Sequence, residues 1–154
     1  MSSLSSIERL LKRHRIGSTM AANPVGCAAA LAALDVLVDE SLSARANELG
    51  ALLISTLKAA NLPHVKEFVG AGLFWAIVLD NKPPKVTPRR LVSLLAQRGV
   101  LASAAGPQRI RICPPLTISE EELLKGAEIV IGALRDIESV GELPAEYLHD
   151  ARHD

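Results

Sequence analysis

Aromatic residues are scarce in this chain, with one Trp, one Tyr and two Phe among 154 residues. Proteins that hold single-stranded nucleic acid stack bases on aromatic side chains, and this sequence has few to offer. A surplus of one charge is also missing: Lys plus Arg number 17 and Asp plus Glu number 17. That balance provides no polybasic surface for nucleic acid or an anionic membrane, so neither is expected as a partner. No apolar run approaches the roughly 18 to 20 residues of a membrane span.

Cysteine is limited to Cys27 and Cys113, each in apolar surroundings (Gly26-Cys27-Ala28 and Ile112-Cys113-Pro114). Two such distant residues read as buried free thiols in a reducing compartment rather than as a disulfide. Neither a Ser-His-Asp order, a Gly-rich nucleotide loop nor a zinc pattern is visible. His149 and His153 have the four-residue spacing of helical metal ligands but no third ligand, so no metal site is expected. His14 and His64 read as surface residues.

What is present is a globular composition. With 49% apolar and 22% charged residues, the chain can bury one core, with room for an appended element. Met1 to Arg15 is Ser-rich and basic, with Leu4, Ile7 and Leu11 at helical spacing, as in an organelle presequence. Glu8 interrupts that pattern, and the reading adopted is a short helix with a solvated basic face.

Ser18 and Thr19 then stand just ahead of Asn23-Pro24. Asn is a favoured N-cap, and Pro at the next position needs no amide donor, so a helix is predicted over about 24 to 40. Gly26 and the alanines give it a thin side suited to burial against another backbone. In a chain on its own, the same face would be exposed and drive association. A second helix follows Ser41 or Leu42, with Leu42, Leu49, Leu52, Leu53 and Leu57 on one stripe, and stops at Asn61-Leu62-Pro63.

Strands are predicted over Val65 to Val69 and Leu73 to Leu79, separated by a Gly70-Ala71-Gly72 turn. A compact helix over Pro88 to Gly99 precedes two further strands, Val100 to Ala102 and Arg109 to Cys113. In the second of these, Arg109 and Arg111 share one face while Ile110 and Ile112 share the other. Such a strand lies at a solvated surface or lines an anion site. Ser119 to Glu122 is a capping box, opening a last helix over about 120 to 138 with Leu123, Ala127, Ile131 and Leu134 inward. The element order implies an α/β fold, helices packed on a largely antiparallel sheet. Residues 141 to 154 read as a loosely held tail.

Gly17-Ser18-Thr19, Asn23-Pro24-Val25-Gly26-Cys27, Val69-Gly70-Ala71-Gly72-Leu73, Arg98-Gly99-Val100-Leu101-Ala102 and Arg109-Ile110-Arg111-Ile112-Cys113-Pro114-Pro115-Leu116 occur in that order. Together they resemble the late part of class-III aminotransferases, pyridoxal 5'-phosphate enzymes, with ornithine δ-aminotransferases the most similar kind. The resemblance runs from about residue 7 to residue 140. It implies the small carboxy-terminal domain of a fold-type-I aminotransferase. Residues 1–22 would end the large domain, 23–40 form a linking helix, 41–140 the small domain, and 141–154 a flexible tail.

The activity implied is transfer of the δ-amino group of ornithine to 2-oxoglutarate. The chain would act as a homo-oligomer or beside a missing large domain, in the cytoplasm or alternatively the mitochondrial matrix. Thr19 is expected at the cofactor phosphate, Ser18 near it on the substrate side, and Arg111 toward an active-site carboxylate. Arg109 is expected at the rim. Lys12, Lys58, Lys66, Lys82, Lys85 and Lys125 all lack the context of the family's Schiff-base lysine, so no catalytic residue is assigned and the chain alone is expected to be inactive. Three segments depart from the family pattern near the expected active-site side: 13–16, Met20-Ala21-Ala22 and Ser103-Ala104-Ala105-Gly106. A non-catalytic module that self-associates or pairs with an intact aminotransferase is the alternative.

Overall fold

The structure, a computed structural model, describes residues 23–80, 82 and 84–141. The chain divides into two units, Met1–Glu40 and Ser41–Asp154. The described part of the first is helix α1, Pro24–Asp39. Asn23 caps it, its Oδ1 accepting from the Gly26 amide at 2.7 Å, and Pro24 sits at the first helical position. A Cβ on Gly26 would come within 2.8 Å of the Asn23 side chain, so the glycine makes room for the cap. The helix contains no buried residue, the exposure expected of its thin side in a chain on its own. Its apolar side chains are spread around the axis instead of gathered in one stripe, and Val25, Leu31, Leu34 and Val38 are exposed.

The second unit contains helix α2 (Leu42–Ala59), strands β1 (Val65–Ala71) and β2 (Phe74–Leu79), helix α3 (Pro88–Gln97), strands β3 (Ser103–Ala104) and β4 (Arg109–Ile112), and helix α4 (Glu120–Asp136). The four strands form one sheet in the order β1-β2-β4-β3, and every neighbouring pair is antiparallel. The core joins Leu49, Leu53 and Leu57 of α2, Ile77 and Leu79 of β2, and Leu91 and Leu95 of α3 to Ile110 and Leu134. Leu57, Ile77, Leu91, Ile110 and Leu134 are fully buried. Helix α2 therefore buries the leucine stripe that its sequence carries, with Leu52 only partly covered.

The β1–β2 hairpin differs from expectation. Strand β1 runs on through Gly70 and Ala71, and the connection is the two residues Gly72-Leu73, since Ala71 pairs with Phe74. Gly72 has φ +53, a left-handed value that suits glycine at the start of such a tight turn. A β-bulge lies between Val65 and Glu67. The strand expected at Val100 to Ala102 lies later, at Ser103–Ala104. The Val100 amide is used differently, donating to the Leu95 carbonyl at 2.9 Å to close the end of α3, and the chain turns at Gly99 with φ +89.

Arginines tie the elements together through backbone carbonyls. Arg90 of α3 donates to the carbonyls of Ile137, Val140 and Gly141, past the end of α4. Arg135 of α4 donates to the Ala60 carbonyl beyond α2, and Arg45 of α2 to the Ile118 carbonyl ahead of α4. The C-terminal ends of helices leave carbonyls without intrahelical partners, and Arg90 at Ile137 and Arg135 at Ala60 satisfy such groups. His64, expected at the surface, is mostly covered: its Nε2 lies 3.0 Å from Glu138 Oε1 with the side chain 21% exposed, joining the start of β1 to the segment after α4.

Candidate functional site

Strand β4 alternates as its sequence requires, Arg109 and Arg111 outward and Ile110 inward. Register fixes the neighbours of the arginines. Ala76 of β2 and Ser103 of β3 stand opposite Arg111, and Val78 opposite Arg109. Paired residues share a sheet face, so Phe74, two positions from Ala76, lies diagonally beside Arg111. The Arg111 guanidinium carbon is 5.1 Å from the Phe74 ring centroid, a cation–π contact.

Phe74 and Val69 are both exposed on this face, which therefore mixes apolar surface with two cations. The ion pairs among the described residues join His64 to Glu138, Lys82 to Asp80 and Arg98 to Asp136, and none of them involves Arg109 or Arg111. A planar guanidinium with an unengaged donor edge suits a carboxylate or phosphate.

On the helix side of the sheet an apolar cleft of about 470 Å³ is lined by Leu53, Val100, Ile112, Cys113, Ile118 and Leu123 among others. Glu122 reaches its rim but is committed to the α4 cap. Its Oε2 accepts from the Ser119 amide and hydroxyl, and the Ser119 hydroxyl accepts from the Glu122 amide. Those bonds, first the side-chain one from Ser119, hold the Glu122 carboxyl below its ordinary value. Cys113 is free and exposed, as is Cys27, whereas burial was expected for both. Cys27 lies on a helix with no buried position and Cys113 just beyond the last residue of β4, so apolar sequence neighbours did not translate into cover.

Ser18 and Thr19, the expected phosphate-side hydroxyls, lie outside the described residues, as do Lys12, His14, His149 and His153. Lys58, Lys66, Lys82, Lys85 and Lys125 are all exposed. A Schiff-base lysine has to be held against the cofactor ring in a partly desolvated pocket. The described residues bring no lysine into such a place and do not assemble a pyridoxal phosphate site. Sequence reasoning located the outward arginines of β4 but missed Phe74, whose contact depends on a pairing between strands far apart in the chain.

Comparison with known proteins places these features in a lineage. The family model for aminotransferase class-III matches residues 3–134. The ornithine aminotransferase car2 of Schizosaccharomyces pombe is 38% identical over 129 residues, 83% of this chain and 30% of the relative. The ornithine aminotransferase of Brevibacillus brevis is 42% identical over 107 residues, 70% of this chain and 26% of the relative. Among solved structures, an ornithine aminotransferase from Toxoplasma gondii, with PLP at partial occupancy in its active site, superposes with a TM-score of 0.75 and 33% identity over 87% of this chain and 32% of that one. The acetylornithine aminotransferase of Elizabethkingia anophelis gives a TM-score of 0.72 and 37% identity, covering 79% of this chain and 31% of that one. The chain thus spans about 30% of the length of the curated relative from Schizosaccharomyces pombe. Its helices on an antiparallel sheet are an α/β part of a pyridoxal phosphate aminotransferase fold, and the chain belongs to the class-III aminotransferase family.

Proposed function

We propose that this chain forms the small-domain part of an ornithine-type aminotransferase, corresponding to the carboxy-terminal portion of its relatives. The reaction is transfer of the δ-amino group of ornithine to 2-oxoglutarate, giving glutamate semialdehyde and glutamate. In this reading residues 1–22 belong with the large domain, 23–40 form the linking helix, 41–140 the small domain and 141–154 a tail. The cytoplasm, or alternatively the mitochondrial matrix, is where such a reaction would run.

The observation that carries the reading is Arg111. It sits on an outward sheet face beside Phe74, with no carboxylate paired to it among the described residues. In the complete enzyme that guanidinium receives a carboxylate at the active site. Thr19 supplies a hydroxyl toward the cofactor phosphate of the neighbouring subunit, and Ser18 lies beside it on the substrate side. The Schiff-base lysine comes from a large-domain segment, so this chain alone is inactive.

The test mixes the purified chain with a separately expressed large domain from a close relative and assays ornithine and 2-oxoglutarate turnover. Turnover only in the mixture is the expected result. An aldimine band in the chain alone, trapped by borohydride on one of its lysines, would overturn the assignment.

A second reading, a non-catalytic module that self-associates or pairs with an intact aminotransferase, is favoured by one observation. Helix α1 exposes Val25, Leu31, Leu34 and Val38, and exposed apolar surface promotes association. Silence in the mixing assay together with concentration-dependent sedimentation would support it.

A further inference from the structure

We infer that Phe74 is a positioning residue for Arg111, fixing the guanidinium so that a carboxylate meets its donor edge. This rests on the reading above, that Arg111 faces a carboxylate. An arginine on a bare sheet surface has four side-chain torsions to restrain before it can hold a ligand in two-point fashion, and that loss of freedom weakens binding.

Here the strand register leaves Arg111 few neighbours that could restrain it. The residues directly opposite it on the adjoining strands are Ala76 and Ser103, both small. The diagonal position holds Phe74, exposed and with its ring centroid 5.1 Å from the guanidinium carbon. A ring beneath the cation attracts it through the negative π face and covers one flat side. The N–H groups in the guanidinium plane stay open, and their fork matches the two oxygens of a carboxylate. The ring thus selects edge-on approach by a planar anion, with Arg109, two residues along on the same face, as a second cation for the far end of a dicarboxylate.

The hairpin holds the ring at this place. Phe74 directly follows the Gly72-Leu73 connection and pairs with Ala71. The next residue, Trp75, points to the other face and bonds back to the Gly72 carbonyl at 2.6 Å. The backbone that carries Phe74 is therefore anchored from the core side.

The test titrates the full ¹⁵N-labelled chain with glutarate at constant ionic strength, following the Arg111 Nε–Hε resonance, identified by its disappearance in Arg111→Lys. In the unsubstituted chain the ring displaces this proton signal upfield, and a hydrogen bond to glutarate moves it downfield. Phe74→Leu is expected to abolish the upfield displacement and weaken glutarate binding about three-fold, the size of an exposed cation–π contact. Phe74→Tyr keeps the ring and is expected to retain both properties, while backbone amide spectra report that each variant is folded. If Phe74→Leu binds glutarate as tightly as the unsubstituted chain, the positioning role falls and the carboxylate reading of Arg111 survives. If Arg111 does not respond to glutarate in the unsubstituted chain, that reading falls and the positioning role with it.

Discussion

The indole N–H of Trp75 donates to the carbonyl of Gly72 at 2.6 Å, and the same carbonyl lies where a Cβ on Gly50 would stand, 1.8 Å from it. One backbone oxygen in the β1–β2 turn therefore contacts both the strand that follows and helix α2 behind it. Gly50 is needed because nothing larger than hydrogen fits between helix and turn.

Gly50→Ala consequently forces backbone apart from backbone. The expected cost is about 2 to 3 kcal/mol, at the upper part of the range for overpacked cores, read as a lowered denaturant midpoint with an unchanged slope. Trp75→Phe, which removes the donor and leaves most of the ring, is expected to cost about 1 kcal/mol. Equal and small losses in the two variants would contradict this account of the turn.

Acid sensitivity should trace in part to Glu122. Its folded carboxyl titrates below the ordinary 4.5 because Ser119 donates to the charged form. A lowered folded value means that the contribution is complete above the unfolded value and fades as pH falls below it, through the folded value. Unfolding midpoints measured between about pH 3 and 6 should therefore fall less steeply toward acid in Glu122→Gln than in the unsubstituted chain.

Arg90 holds the carbonyls of Ile137, Val140 and Gly141. Arg90→Met keeps the apolar stem and removes those donors, at an expected cost of about 1 to 3 kcal/mol for bonds from a charged group. Hydrogen exchange should localise the loss: amides of Ser139 and Val140, which bond to the Asp136 carbonyl, should exchange faster, while those of β2 stay protected.

Both thiols are exposed, so both should alkylate in the native chain without denaturant. Cys27 adds a concentration test. Should α1 mediate self-association, alkylation of Cys27 slows as the chain is concentrated, while Cys113, in the other unit, continues to react at its dilute-solution rate.

Much of the second unit could be read from local pattern. The Ser119–Glu122 capping box, the alternation from Arg109 to Ile112 and the leucines of α2 are signals contained within a few residues, and each has its expected structure. The misreadings came where distant parts decide. Val100 looks like a strand residue, but its amide is spent on the end of α3, and Leu101 is 90% exposed, so pairing with β4 begins only at Ser103. Gly70 looks like turn, yet it pairs with Trp75 inside the ladder. The Arg111 half of the candidate site was legible from alternation, whereas its Phe74 half depended on a register that no local pattern encodes.

The bulge between Val65 and Glu67 has a consequence for how this chain meets its neighbours in a crowded solution. Strand β1 is the long outer strand of the sheet, and an outer strand with regular unpaired amides invites another chain to add to it. The bulge spoils that regularity, and the exposed charges of Lys66 and Glu67 stand beside it. At the opposite edge β3 offers only two residues, too short a template for a guest strand. Among the described residues, the start of β1 and the short β3 are thus both poor templates for an added strand.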